Sequence, residues 1–156
     1  MDSNYDAVVF GGGTAGVCAA VQAARAGAKT LLVDKAGQLG GTMTSGGISN
    51  PASFWAWGRQ VIAGTGWELV RKVADAGGGA LPDPGDRCPV HIHLNPALIA
   101  TVADELVVES GCDLLLHAMP AEASFDGSVW RLAVCTKTGL RRLAARTVID
   151  CTGDAN

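Results

Sequence analysis

Gly11, Gly13 and Gly16 stand at G-x-G-x-x-G spacing between the apolar run 5–10 and a stretch of small residues. Glycines so placed between a strand and a helix suit anion binding. The first allows a tight strand-to-helix turn, the second lets backbone approach a diphosphate where a Cβ would clash, and the third lets helix and strand pack closely. Thr14 and Ala15 open the helix, where N–H groups lack intrahelical partners and the dipole is positive. That dipole is worth roughly 0.3–1 kcal/mol per nearby charge, up to ~2 when partly buried, so it orients a ligand without supplying all of its affinity. Asp34 ends a second apolar run at 29–34, with Lys35 beside it. An acid about 20 residues beyond the glycines is placed to accept hydrogen bonds from ribose hydroxyls. Its charge disfavours a ribose carrying a 2′-phosphate. A lone glycine turn is also compatible with a flexible loop. Strand, helix, second strand and acid in succession favour a dinucleotide site.

A second glycine pair follows in Leu39-Gly40-Gly41-Thr42-Met43-Thr44-Ser45-Gly46-Gly47. With the fingerprint and the acid, this run resembles FAD-dependent oxidoreductases of the glutathione-reductase-like, two-dinucleotide-binding fold, in their N-terminal portion. The resemblance implies that Gly40, Gly41 and Thr42 approach the FAD diphosphate and ribityl chain. It places Thr44, Ser45 and Ser49 within reach of ring or ribityl oxygens, and Trp55, Trp57 and Arg59 toward the substrate side. Packing is the competing reading of both tryptophans, since aromatic residues commonly bury for area alone. Arg59 stays protonated and suits an anion holder better than a base. Met119, Pro120 and Ala121 fall where related flavoproteins pass backbone alongside adenine. Cys151-Thr152-Gly153-Asp154 resembles the family's A-T-G or C-T-G-D run, so Thr152, Gly153 and Asp154 are expected near the cofactor's diphosphate and ribose. Cys151 takes a small-residue position and is expected to pack. The C-x-x-x-x-C pair of the family's disulfide reductases is absent. Family members run much longer, which implies an N-terminal portion whose substrate domain lies beyond residue 156.

The elements that must carry these residues are legible in outline. Residues 5–10 and 29–34 suit buried strands of a parallel sheet, joined by a helix over 14–25 in a right-handed βαβ unit. Ala19, Ala20, Ala23 and Ala24 offer that helix a small packing face, and Gly27 ends it. Residues 66–76 form an amphipathic helix with Leu69, Val70 and Val73 on one face. The breaker-rich stretch at 77–79 and 82–86 reads as a loop, within a segment 50–93 expected to be an insertion bordering the flavin and substrate side. Residues 89–94 alternate like a strand, placing His91 and His93 on one face. No local carboxylate or thiol completes a metal set around them, so no metal site is expected. Asn95-Pro96 starts a helix as N-cap and N1, with Leu98, Ile99, Val102 and Leu106 as its stripe. Residues 113–117 read as another buried strand. Asp126-Gly127 marks a hairpin turn, and residues 129–136 and 140–150 flank a second at Thr138-Gly139, giving an antiparallel meander that crosses to the final parallel strand at 147–150. Within the family this feature favours FAD over NAD.

At 156 residues and 48% hydrophobic composition, the chain has the size and apolar content of one domain with a core. Its net charge of −3, without a basic block, speaks against nucleic acid or an anionic membrane as partner. No apolar run at the N-terminus is long enough for a signal peptide or membrane span. The five cysteines show neither C-x-x-C nor an even framework, as expected of reduced thiols in the cytoplasm. The combined expectation is an α/β, Rossmann-like FAD-binding domain with parallel sheet and meander, serving an oxidoreductase with a small-molecule substrate and a separate electron acceptor. No residue is a secure acid or base. An NAD-linked dehydrogenase domain and a non-catalytic dinucleotide-binding fragment remain as alternatives.

Overall fold

The computed structural model describes residues 3–79, 81 and 91–155. Along the chain these are β1 (Ser3–Phe10), α1 (Thr14–Arg25), β2 (Thr30–Val33), the short strands β3 (Trp55–Ala56) and β4 (Arg59–Gln60), α2 (Thr65–Ala76), α3 (Pro96–Glu109), β5 (Asp113–Leu115), β6 (Met119–Phe125), β7 (Trp130–Thr136) and β8 (Gly139–Asp150). One six-stranded sheet has the order β5-β2-β1-β8-β7-β6. Its first four strands run parallel and its last three form an antiparallel meander, with β8 belonging to both sets.

Alternation along the parallel strands decides the two faces. Val9 and Leu32 point into a core built with Val17 and Val21 of α1, Leu69 and Val73 of α2, and Ile99 and Leu106 of α3. Val8, Phe10, Leu31 and Val33 point the other way, into a second core with Leu132, Val134 and Leu143 of the meander. Strand β7 lies several strands from β2 in sheet order yet packs in the same core. The meander's inward side chains thus join those of the parallel strands in one core on the face opposite the helices. Such burial on both faces is why β2 reads as a continuous apolar run.

Several local expectations hold. Helix α1 ends past Arg25, with Gly27 at φ 89°. Asn95 caps α3, its Oδ1 accepting from the Ala97 N–H at 2.9 Å, and Pro96 follows at N1. Leu69, Val70 and Val73 are the buried face of α2. Through α2 the 50–93 segment thus adds directly to the main core. A bidentate Arg25–Glu68 pair at 2.6 and 3.0 Å ties α2 to α1, though an exposed pair contributes little.

Other expectations are corrected. The buried face of α1 is Gly16, Val17, Ala20 and Val21, one step round from the alanine set, because valines offer more area to the sheet. Strand β5 is shorter than 113–117 and only half-buried, because it forms the sheet edge and His117 turns at φ 53°. No regular strand forms at 91–94. His91 makes an isolated bridge with Ala52, and both histidines are exposed about a buried Ile92. The rest of that expected strand, residues 89–90, and the loop at 82–86 lie outside the described residues. By contrast, the expected run 140–150 holds as one strand, whose end is the parallel strand 147–150. The 12-residue β8 pairs with β7 through Ala145 and with β1 through Asp150, so one strand serves both.

The first meander turn is held by Asp126. Its Oδ1 accepts from the N–H groups of Val129 and Ser128 and from the Ser128 hydroxyl at 2.8–3.0 Å. These donors, the Val129 N–H first, hold the carboxyl down to about 2. A depressed folded-state value means the contribution to stability is present above the ordinary range near 3.8 and lost as pH falls through about 2. Replacing Asp126 by Asn is expected to flatten the stability–pH profile between about pH 4 and 2, measured by urea unfolding at stepped pH. In the core, Leu106→Ala removes a fully buried side chain and is expected to cost about 2–5 kcal/mol, read from the shift in urea midpoint.

Candidate functional site

The C-terminal ends of β1, β2 and β8 meet around the first glycine turn. Gly11 has φ 97°, and its N–H donates to the Val33 carbonyl at 2.8 Å. A Cβ on Gly11 would lie 2.3 Å from the Cys151 carbonyl oxygen, and one on Gly16 would lie 1.7 Å from the Gly11 oxygen. These are close approaches of backbone to backbone, with nothing flexible to yield. Gly13 differs. A Cβ there would meet no protein atom within 4 Å, so the turn presents open backbone at its middle glycine. Gly13 is also the N-cap of α1, and no side chain caps or charges that first turn. Thr14 and Ala15 beside it are exposed. The dipole and N–H groups of α1 therefore face outward without a protein counter-charge in the first turn.

The second glycine pair lies directly against this turn. Gly40 N–H donates to the Gly12 carbonyl at 2.8 Å, and Gly13 and Gly40 form a parallel bridge. A Cβ on Gly41 would be 2.9 Å from the Gly13 Cα. Thr42 is exposed next to them in a short 3₁₀ turn, Gly41–Met43. The Thr44 hydroxyl is buried and donates to the Leu39 carbonyl at 2.8 Å, while the Ser45 hydroxyl donates to the Gly41 carbonyl at 3.2 Å. Both close the loop on itself.

The acid completes the group. Asp34 is half-buried, and its Oδ2 accepts from Gly12 N–H while Oδ1 accepts from Ala36 N–H at 2.6 Å. Beside it opens a cleft of about 120 Å³ lined by Asp34, Lys35, Met119, Pro120, Thr152 and Asp154, with Phe10, Gly11, Val33 and Ala118 forming the rest of its wall. Ala121 is not brought to this cleft. It falls at the register shift between Pro120 and Glu122, a β-bulge that turns it out to solvent. Phe10, Val33 and Ala118 were missed from the sequence. The rule that ligands sit outside the carboxyl ends of parallel strands points to them. At the other side of the cleft, the Asp150 carboxylate accepts from Thr152 N–H and Oγ, which holds its pKa below the ordinary range. Gly153 follows at φ 89°. Burial raises the thiol pKa of Cys151, with Asp150 adding to it, and raises that of Cys18. Both are poor nucleophiles in this state, and Cys151 packs against the helical core.

Residues expected on the substrate side divide. Trp55 packs edge-on against Trp67 at 4.8 Å between ring centres, in a small cluster with Phe54. Trp57 is 88% exposed at the tip of the β3–β4 hairpin, and Arg59 is exposed beyond it. A larger depression of about 530 Å³ opens at the opposite end of the sheet, where Arg131 pairs with Asp126, Arg146 pairs with Asp6, and Lys29 Nζ lies over the Tyr5 ring. Among the described residues, no group of three or more His, Cys, Asp or Glu is arranged to hold a metal ion. Among them too, no helix is long and apolar enough to cross a membrane.

Comparison with known proteins agrees with this geometry. Among solved structures, the fold is similar to a geranylgeranyl bacteriochlorophyll reductase-like protein from Thermoplasma acidophilum (TM-score 0.64, 15% identity, 96% of this chain and 39% of that one). It is also similar to a flavoprotein/dehydrogenase from Cytophaga hutchinsonii (0.62, 17%, 96% and 39%) and to the OxyS anhydrotetracycline hydroxylase from Streptomyces rimosus (0.65, 14%, 95% and 31%). The chain spans about a third of the length of these structures. At such identities the likeness establishes the fold, an α/β Rossmann-like domain with parallel sheet and antiparallel meander. The model of the family described as FAD dependent oxidoreductase matches residues 6–156. The cofactor implied is FAD, and the open backbone at Gly13, the uncapped start of α1 and the acid at Asp34 fit it: with nearly the whole chain matched, this protein belongs to the FAD dependent oxidoreductase family.

Proposed function

We propose that this chain forms the FAD-binding part of an oxidoreductase acting on a small organic molecule. The observation that carries the reading is the contrast among the fingerprint glycines. Gly11 and Gly16 are closed off by protein backbone, whereas the face of Gly13 is open and lies at an uncapped helix start. An open middle glycine is what a diphosphate requires. In this reading Gly13, Thr14, Ala15 and Gly16, joined by Gly40, Gly41 and Thr42, hold the diphosphate. Asp34 accepts from the adenosine ribose, with Lys35 beside it. Met119 and Pro120 border the adenine, and Thr152, Gly153 and Asp154 close the other side. FAD supplies the redox chemistry, accepting or giving hydride at its ring and passing electrons to a second acceptor. The chain's own contribution is binding, orientation and water exclusion. Trp57 and Arg59, exposed on the segment 50–93, are proposed to face the substrate, with Arg59 holding a negative group. A substrate domain following this FAD-binding part belongs to the same proposal.

The test is a visible spectrum of the purified chain after soaking with FAD and desalting, with any retained NAD released by denaturation and read by its ultraviolet absorption. Retained flavin bands near one per protein are expected, and soaking with NAD alone should leave no ligand behind. Retention of NAD but not FAD would turn the assignment to an NAD-linked domain. Gly13→Val is expected to keep the far-UV circular dichroism and thermal midpoint of the parent while losing flavin. Gly16→Ala should instead lower the thermal midpoint, because its Cβ has nowhere to go. Equal flavin retention by the parent and Gly13→Val would refute the diphosphate assignment.

A further inference from the structure

The peptide around Gly12 is held on both sides by groups outside the turn. Its N–H donates to Asp34 Oδ2, and its carbonyl accepts from Gly40 N–H at 2.8 Å. The carboxylate that holds it is itself anchored. Oδ1 takes the Ala36 N–H at 2.6 Å, the Asp34 N–H donates to the Leu115 carbonyl at 3.0 Å, and the Asp34 carbonyl accepts from Ala118 N–H at 3.0 Å. Asp34 is thereby tied to the end of β5, and Gly12 is tied to Asp34. The space around Gly12 is full: a Cβ there would lie 2.4 Å from Leu39 Cδ2 and 3.0 Å from Asp34 Oδ2. An ionised carboxylate accepts on both oxygens, whereas an asparagine offers one oxygen and one N–H₂. Against the Gly12 and Ala36 N–H groups, asparagine must put donor against donor at one of them.

We infer that Asp34 is a positioning residue for the glycine turn as well as a ribose acceptor. Its carboxylate fixes the Gly12 peptide and, through the Gly12 carbonyl, the Gly40 segment. The two glycine runs are then locked into one rigid surface before any ligand arrives, with Gly13 and the first turn of α1 left facing outward. Pre-organisation of this kind reduces the ordering that binding would otherwise require. The inference rests on the proposed FAD site for its ligand, but the hydrogen bond it invokes belongs to the protein alone.

The experiment is NMR on the ligand-free chain, paired with binding of FAD and of an FAD analogue whose adenosine ribose lacks both hydroxyls. In the parent, a through-hydrogen-bond coupling is expected between the Gly12 amide nitrogen and the Asp34 carboxylate carbon. Asp34→Asn should speed hydrogen exchange at Gly12 about tenfold or more, the size expected for losing a hydrogen bond to a charged group. The same variant should weaken FAD and the analogue by a similar factor, again about tenfold. Absence of the coupling in the parent overturns the inference, and this arm needs no variant to fold. So does analogue binding that is unaffected by Asp34→Asn, since the carboxylate would then act only on the ribose. If the parent binds no FAD, the FAD reading fails by itself while the coupling and exchange still decide the role of Asp34 in the turn.

Discussion

The contact on which the rest of the structure depends is the approach of Gly11 to its neighbours. The end of β1 must leave the sheet, turn and start α1 within the space between β2 and β8. It can do so only because the Gly11 backbone passes against the Cys151 carbonyl, and α1 then returns with Gly16 resting on the Gly11 oxygen. A side chain at either point meets backbone, which cannot rotate away. From this contact follow the docking of α1 on the sheet, the distance at which Val17, Ala20 and Val21 meet Val9 and Leu32, and the position of the helix start relative to the strand ends. The residues at the far end of the chain take part directly, because Cys151 N–H also donates to the Phe10 carbonyl at 2.7 Å.

Around that contact, the chain spends its polar groups unevenly. Gly12, Asp34, Ala36, Gly40, Thr44 and Thr152 are engaged with one another or with nearby backbone. The faces of Gly13, Thr14 and Ala15 are not filled by protein side chains. A rigid frame carrying a small region of open backbone is the arrangement that electrostatic binding of a diphosphate needs, because dipoles that are already oriented do not have to be ordered when the ligand arrives. The meander serves the same frame from the other side. By packing Leu132, Val134 and Leu143 against Leu31 and Val33, it buries the second face of the parallel strands and brings Met119 and Pro120 beside Asp34.

Cys18, Cys151, His91 and His93, which a sequence reader weighs first for chemistry, stand apart from this centre or are muted within it. Cys18 and Cys151 are partly buried with raised thiol pKa values, and His91 and His93 are exposed on an irregular segment. The chemistry of this family is supplied by the cofactor, and this part of the chain accordingly presents glycines, an acid and backbone amides rather than a reactive side chain.

Local rules were enough for much of this. The glycine spacing, the acid at the end of β2, the Asn95-Pro96 start of α3 and the Asp126-Gly127 turn are short-range stereochemistry, written in adjacent residues, and the structure carries each of them. Binary patterning likewise marked the buried faces of α2 and α3, because a helix repeats its contacts every few residues. What only the tertiary structure decided depends on strand order and register, which no local pattern encodes. Edge position made β5 short and half-exposed. The pairing of one long β8 with β1 on one side and β7 on the other set the order of the sheet. A bulge turned Ala121 away while Met119 and Pro120 reached the cleft. The joining of Asp34 to Gly12 and of Gly12 to Gly40 also lay outside the reach of sequence, since each bond unites segments separated by more than 20 residues and exists only once the sheet has brought the strand ends together.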